Sequence, residues 1–223
     1  MSSLSRKLMP VICLLALLVT APLASVAEDD APAKSFSVIL LPDTQNYAEK
    51  YPETYVNQTL WIRKQLKEDN IKFAVHLGDI VQTPTKKNEW ENANRAMQIL
   101  DGVVPYSMVP GNHDMVVKER NTTLYNQFFS PKRFEDRKWY GGHMGTTNDN
   151  NYCFFEGGGL KFMVISLEFA PRDETLAWAA GICQKHPDRR VIVATHCYMR
   201  PKGRDTSCAT SYNVAGNSGE EMW

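Results

Sequence analysis

The segment 103-VVPYSMVPGNHD-114 is an apolar run that stops at a Pro-Gly pair and continues with three polar residues. Short apolar runs bounded by turn residues are typical of buried strands. Two similar runs precede it, 36-FSVILLPDTQN-46 and 72-KFAVHLGDI-80, and an aspartate follows each apolar stretch. The three segments therefore predict three buried strands, each followed directly by polar side chains.

Helical patterns separate these strands. Residues 52–70 place Tyr55, Thr59, Ile62 and Leu66 on one face, and residues 86–102 show the same spacing before a terminal glycine. Alternating strands and helices with near-continuous apolar strands predict an α/β fold, in which a parallel sheet carries helices on its outer faces. Ligands of such sheets bind beyond the carboxyl ends of the strands.

The second half of the chain predicts further strands after an irregular middle. Residues 115–150 are aromatic, polar and glycine-rich, and predict a long excursion with little regular structure. The runs 151-NYCFFE-156 and 160-LKFMVISLE-168 predict a hairpin across a glycine turn. A helix over 172–185 then leads into the strand 189-RRVIVATHC-197.

Polar residues suited to metal binding stand at the ends of four predicted strands. They are Asp43, Asp79, the triplet 112–114 and His196. Each one alone is also explained as a turn residue or a hydrogen-bonded strand end. Together they offer carboxylate, amide and imidazole donors that suit Zn, Mn or Fe, and one sheet edge would gather them.

The segments 43-DTQ-45, 78-GD-79 and 111-GNHD-114, followed by His196, resemble the calcineurin-like metallophosphoesterases. The resemblance spans residues 36–223 and implies a four-layer α/β/β/α fold. It also implies that a metal-activated water hydrolyses a phosphate mono- or diester. Two divalent or trivalent ions (Fe, Mn or Zn) would serve as cofactors, and the substrate would be a phosphorylated small molecule or a phosphoprotein.

The resemblance also assigns metal ligands. Asp79 would bridge the two ions, Asp43 would bind the first ion, and Asn112 and His196 would bind the second. The family has a histidine where this chain has Gln45. The Gln45 oxygen is therefore a candidate ligand of the first ion, while an Asx-type turn over 42–46 explains the same residues without ligation.

Two further residues receive catalytic roles from the resemblance. His113 would stabilise and protonate the leaving oxygen, and Asp114 would orient the His113 imidazole. The Gly-His-x-His motif that supplies two more ligands in the family does not follow His196. His76, His143 and His186 do not stand at matching positions, so the first metal site is expected to be incomplete.

The last eight residues, 216-GNSGEEMW-223, contain a capping-box pattern formed by Ser218 and Glu221. This pattern predicts a helix start. It leads to the expectation of a C-terminally truncated family member whose last strands are missing and whose activity is impaired. A serine hydrolase is the weaker alternative for "GNSGE", because a nucleophile elbow needs glycine where Glu220 stands.

The N-terminus predicts export. Two basic residues, an apolar run and small residues predict a signal peptide over 1–27 and a linker over 28–35 before the domain at 36–223. The protein is then periplasmic or extracellular with no stable membrane span, although an uncleaved anchor is an open alternative. Equal numbers of acidic and basic residues give no nucleic-acid-binding signal.

Four cysteines follow the predicted signal peptide, and no C-x-x-C pattern occurs among them. Buried thiols with at most one disulfide are the expectation. A noncatalytic exported binding protein that keeps the fold without a complete metal site is the alternative to the enzyme.

Overall fold

The computed structural model describes residues 35–222. The predicted signal peptide and nearly all of the linker lie outside these residues, so both stay predictions. Within 35–222, no helix combines the length and the apolar character needed to cross a membrane.

The strands of the described chain fall into two main sheets and one small hairpin. Their bounds are β1 (Ser37–Leu41), β2 (Ile71–His76), β3 (Tyr106–Met108), β4 (Tyr140–His143), β5 (Asn151–Gly157), β6 (Leu160–Leu167), β7 (Arg190–Thr195), β8 (Met199–Arg200) and β9 (Gly203–Arg204).

The helices mostly follow the strands as the sequence pattern predicts. Their bounds are α1 (Gln45–Lys50), α2 (Pro52–Gln65), α3 (Lys87–Met97), α4 (Thr123–Phe128), α5 (Asp173–Lys185) and α6 (Cys208–Tyr212). Short 3-10 turns cover Gln98–Leu100, Asn112–Asp114, Val117–Glu119 and Pro131–Arg133.

The first sheet has the order β1-β2-β3, and both pairings are parallel. Leu41 of β1 pairs with His76, which in turn pairs with Met108 of β3. The three carboxyl ends therefore lie side by side, and the predicted parallel arrangement of these strands is confirmed. The loops that carry Asp43, Asp79 and Asn112 leave the sheet at this edge.

The second sheet has the order β4-β5-β6-β7. The predicted hairpin is confirmed, because β5 and β6 pair antiparallel around Gly158 and Gly159, both at positive φ. β7 runs parallel to β6. The expectation that one sheet gathers all four polar strand ends is wrong, since His196 follows a strand of the second sheet.

Three apolar clusters separate the layers. The first packs α2 and α3 against the outer face of the first sheet, with Trp90 and Tyr106 fully or almost fully buried. The second lies between the two sheets and contains Phe73 and Val164. The third packs α5 against the second sheet through Ile182. The order is therefore helix, sheet, sheet, helix, which confirms the predicted four-layer fold.

The middle segment is more ordered than the sequence pattern predicts. Residues 115–150 contain α4 and β4, and Tyr125 and Phe129 are fully buried. Both rings contact Trp90 of α3 at centroid distances of 6.2 and 6.4 Å. The segment is packed because its aromatic side chains extend the core, although their irregular spacing shows no strand or helix period.

Glu168, directly after β6, joins this middle segment to α5. Its buried carboxylate accepts from Arg172 Nε at 3.0 Å and from Thr175 Oγ1 at 2.7 Å, and it lies 3.1 Å from Arg120 Nη2. Burial alone would raise the pKa of Glu168, but the two arginines hold it below its ordinary value. The ionised carboxylate is therefore the form that the fold stabilises.

The capping pattern at the end of the chain forms only in part. Glu221 accepts a hydrogen bond from the Ser218 N–H at 2.8 Å, as a capping box requires. The Ser218 hydroxyl instead accepts from the Ala209 N–H at 3.2 Å, and residues 219–222 form turns. Since Ser218 is fully buried, its hydroxyl links this turn to α6, and it is not placed as a nucleophile.

Candidate metal centre

Three predicted ligands come together at the carboxyl edge of the sheets. Asp43, Asp79 and His196 each offer one donor atom, and these atoms all lie within 4.8 Å of one another. His196 Nε2 is 3.4 Å from Asp79 Oδ1, and His196 Nδ1 is 3.9 Å from Asp43 Oδ1. The two sheets thus contribute to one group of donors.

The backbone at both aspartates adopts a left-handed conformation. The φ angle is 30° at Asp43 and 48° at Asp79, and Gly78 between β2 and Asp79 has a φ of 95°. Such conformations are uncommon for residues with a Cβ and cluster at functional sites. Both aspartates of the donor group therefore stand in conformations that mark functional sites.

The hydrogen bonds of His196 determine which ring nitrogen faces the aspartates. Its Nδ1 is 2.9 Å from the carbonyl oxygen of Leu77, to which it donates, so Nε2 faces Asp79. A backbone carbonyl on one ring nitrogen is the usual support for a metal-binding histidine. Burial lowers the pKa of His196, but Asp79 outweighs it and raises that pKa to about 9.

Asp79 is the most buried member of the group, at 5% exposure. Its Oδ1 accepts a hydrogen bond from the His113 N–H at 3.0 Å. Burial acts to raise the pKa of Asp79, yet His196 and the His113 N–H hold it below the ordinary value. The carboxylate is therefore ionised and oriented before any ligand arrives.

The Gln45 amide lies between the two aspartates. Its hydrogen-bonding surroundings favour the orientation in which Nε2 donates to the backbone oxygens of Asp43 at 3.0 Å and Asp79 at 3.2 Å. The amide oxygen then occupies the position 3.4 Å from Asp79 Oδ2. Two oxygens side by side suit a shared cation, and ligation by Gln45 stays a prediction, as does the Asx-type turn that explains the same residues.

Asn112 begins the 3-10 turn after β3, directly behind Gly111. A Cβ at Gly111 would approach Asp79 Oδ1 to 2.2 Å and His196 Cγ to 3.0 Å, so the turn packs against both donors. This places Asn112 beside the cluster. Its ligation of a second ion stays a prediction.

Asp114 does not orient His113, and that prediction is wrong. One Asp114 oxygen accepts from the N–H groups of Ile80 and Val81 at 2.8 and 3.0 Å, and the other accepts from Gly111 at 2.7 Å. The His113 Nδ1 instead lies 2.9 Å from the carbonyl oxygen of Gln82. Asp114 therefore joins the loops after β2 and β3, and the Gln82 carbonyl, not Asp114, takes the His113 Nδ1.

His76 is a core residue, as predicted, and its hydrogen bonds hold the first loop. The Gly78 N–H donates to Nδ1 at 3.3 Å, so the ring proton is on Nε2. Nε2 donates it to Thr44 Oγ1 at 2.9 Å, and the Thr44 hydroxyl donates to the Ile80 carbonyl at 3.1 Å. Burial lowers the pKa of His76 to about 3. The neutral ring therefore ties Thr44, next to Asp43, to the loop that carries Asp79.

The other two histidines of the described residues lie elsewhere. His143 is in β4 near Glu135, and His186 packs against Phe154 with ring centroids 4.9 Å apart. Neither belongs to the donor group. The position of both rings away from the donors agrees with the sequence, which assigns neither histidine to the site.

Sequence reasoning missed Thr44, Gln82 and Gly111. Thr44 is fully buried although it stands in a turn, and Gln82 acts through its backbone carbonyl. Every residue has a backbone carbonyl, so such a contact cannot be predicted from the residue type. The glycine of "GNHD" did carry a signal, because a glycine beside a carboxylate often marks a close approach of two chain segments.

Gly111 supplies the first testable prediction. We expect Gly111→Ala to lower the free energy of unfolding by about 1–3 kcal/mol, since the new methyl group would collide with the Asp79 carboxylate and backbone. Urea unfolding measures this change. Gly181→Ala is the matched control, because a Cβ there meets nothing within 4 Å and α5 gains a better helix former. Equal stability of the two variants would contradict the assigned packing.

The donor set fits a divalent cation. Two carboxylates, one imidazole nitrogen and one amide oxygen match the ligands that Zn, Mn and Fe accept. Ligands at about 2.1 Å from a common ion lie at most about 4.2 Å apart, and the separation of 3.4 Å between His196 Nε2 and Asp79 Oδ1 falls within that limit. Among the described residues, these four groups could hold a metal ion at the strand ends.

Comparison with known proteins places this chain in a family. The uncharacterized protein YvnB of Bacillus subtilis (strain 168) is 34% identical over 180 residues, which cover 80% of this chain and 14% of the relative's length. The purple acid phosphatase PPD1 from yellow lupin (Lupinus luteus) seeds is 16% identical with a TM-score of 0.49, over 82% of this chain and 37% of that chain. Residues 36–217 match the calcineurin-like phosphoesterase family. The chain therefore belongs to the calcineurin-like phosphoesterases.

Proposed function

We propose that this chain is a metal-dependent phosphoesterase that hydrolyses a phosphate mono- or diester. The observation that carries the proposal is the convergence of Asp43, Asp79 and His196 within 4.8 Å at the edge where two sheets meet. Family membership over residues 36–217 supports the same reaction class.

The chain's own groups would hold Fe, Mn or Zn. Asp79, with two oxygens and a lowered pKa, is the bridging candidate. His196 Nε2 lies 3.4 Å from its Oδ1, and Asp43 belongs to the same donor group. The Gln45 oxygen and the Asn112 amide would complete the ligands. A bound divalent cation would neutralise phosphoryl oxygens and lower the pKa of a water molecule.

His113 is the proposed proton donor to the leaving oxygen. The Gln82 carbonyl accepts from its Nδ1 and leaves Nε2 for the substrate, while its own N–H fixes Asp79. A ring oriented by a carbonyl can pass one proton from Nε2 without turning. His113 thus holds the Asp79 carboxylate through its backbone and offers the proton through its side chain.

Substrate and location are also part of the proposal. A phosphorylated small molecule or a phosphoprotein fits a cation site with an exposed Asp43, which is 60% accessible. The basic and apolar pattern of residues 1–27 supports export to the periplasm or the extracellular space. The chain spans 14% of the length of its Bacillus relative. The proposal therefore does not extend to the activity of that relative as a whole.

The test measures hydrolysis of p-nitrophenyl phosphate and bis-p-nitrophenyl phosphate. Protein stripped with a chelator is supplied in turn with Mn²⁺, Zn²⁺ and Fe²⁺, and its metal content is measured in parallel. We expect turnover of at least one ester to disappear on stripping and to return with metal. His196→Asn should reduce both metal content and turnover.

The matched control is His186→Asn, the same substitution at a histidine that packs against Phe154 away from the donors. It should keep both metal content and turnover. A folded wild type that binds no metal and hydrolyses neither ester would refute the proposal in favour of the noncatalytic binding protein. Chelator-resistant hydrolysis would refute the dependence on metal.

A further inference from the structure

A second cluster of reactive side chains lies beside the candidate metal centre. The sulfur atoms of Cys197 and Cys208 and a carboxylate oxygen of Asp205 all lie within 4.8 Å of one another. Cys197 directly follows His196, and Cys208 begins α6. The cluster therefore brings a thiol of the segment after β7 close to a thiol at the start of α6.

The Asp205 carboxylate is already occupied by groups of the protein. One oxygen accepts from the N–H groups of Ser207 and Cys208 at 2.8 and 2.5 Å, and the other pairs with Arg200 Nε. Only the two sulfur atoms remain as available donors. Structural zinc sites use four protein ligands, so this cluster does not fit a metal ion.

The surroundings of the two sulfur atoms favour a bond between them. Cys208 is fully buried, and Cys197 packs on the same apolar cluster, which also contains Phe169 and Ala209. Cys197 is half-buried, so an oxidant in solution can reach it. An accessible thiol beside a buried partner is the arrangement in which a mixed disulfide is resolved within the protein.

We propose that Cys197 and Cys208 form a disulfide bond. The Cys197 thiolate attacks a disulfide such as oxidised glutathione and releases one thiol, and the Cys208 thiolate then displaces the second thiol from Cys197. The two cysteines lose two protons and two electrons, and one oxidant disulfide is reduced to two thiols. In the structure both cysteines are thiols, which is the reactant state of this step.

The bond would close a loop over residues 197–208 that contains the β8-β9 hairpin. Cross-linking such a loop restricts the unfolded chain. For a domain of this size we expect the melting temperature to rise by about 5–10 °C on oxidation. The bond would also anchor the segment that presents His196, whether or not the chain hydrolyses esters.

Peptide mapping tests the proposal directly. Purified full-length protein is equilibrated with oxidised glutathione, blocked with N-ethylmaleimide and digested with trypsin without reduction. The four cysteines after residue 27 fall in separate tryptic peptides, 139–161, 173–185, 191–202 and 205–223. We expect peptides 191–202 and 205–223 to appear as one species, lighter by two hydrogen atoms than their sum, with the other two peptides alkylated.

Cys183→Ser is the matched control, because Cys183 belongs to a different apolar cluster beside α5. It should melt like wild type and lose the same 5–10 °C on reduction, whereas Cys197→Ser should not respond to reduction. Alkylation of both Cys197 and Cys208 in the folded, glutathione-treated protein would overturn the proposal. The reduced protein is also supplied with Co²⁺. A thiolate-to-cobalt absorption band that is absent in Cys197→Ser would overturn the disulfide proposal in favour of a metal site.

Discussion

Replacing Asp79 with asparagine should lower the turnover of the responsive ester by about a thousand-fold or more. Asp79 is the candidate bridging ligand, 5% exposed, and the only described carboxylate that both His196 and the His113 N–H contact. Asparagine keeps the volume but removes the charge that would hold a cation, and a bound cation supplies several kcal/mol of transition-state stabilisation. Steady-state kinetics with saturating metal measure the loss.

A structural defect would produce the same loss of turnover, so the experiment needs two further readouts. Metal content should fall in Asp79→Asn while the urea midpoint changes little. Asp188→Asn is the control, because Asp188 forms an exposed ion pair with Lys161 at 3.0 Å and should change neither readout. Undiminished metal content and turnover in Asp79→Asn would remove Asp79 from the site.

Replacing Asp114 with alanine should destabilise the protein by at least about 3 kcal/mol. The substitution would leave three buried N–H groups without acceptors, and each such loss costs about 1–3 kcal/mol. Two of these groups belong to the loop that follows Asp79, and the third belongs to Gly111. Denaturant unfolding of wild type and variant, with equal m-values, measures the difference.

Asp114→Asn separates the charge from the hydrogen bonds. Its amide oxygen could still accept from Ile80 and Val81, but its NH₂ group would face the Gly111 N–H, donor against donor. We expect an intermediate loss of stability. Asp188→Ala is the exposed control and should stay within about 0.5 kcal/mol of wild type. If Asp114→Ala unfolded at the wild-type midpoint, the assigned loop connection would be wrong.

Much of the first sheet could be predicted because its strands are short apolar runs that end at Pro42, Gly78 or Pro110. These endings are local signals, and they located Asp43 and Asp79 at the strand ends before any tertiary information. The hairpin between β5 and β6 could be predicted equally well, since its turn glycines adopt the positive φ angles that few other residues tolerate.

The rest could not be predicted, because it depends on contacts between distant residues. The role of Asp114 is one example: its three hydrogen-bond donors include two that lie 33 and 34 residues away. Its neighbour in sequence, His113, suggested the wrong partner. The packed middle segment is another example, since the buried Tyr125 and Phe129 both contact Trp90 of α3, which is distant in sequence.

By itself, the sequence determined the chemical types of the donors, their order and their positions at strand ends, because strand patterns and turn residues are local. Only the tertiary structure decided that His196 arrives from the second sheet, that the Leu77 carbonyl takes its Nδ1 so that Nε2 faces Asp79, and that Asp114 joins two loops. These contacts depend on how the two sheets pack, because they join residues far apart in sequence: His196 contacts the Leu77 carbonyl, 119 residues away.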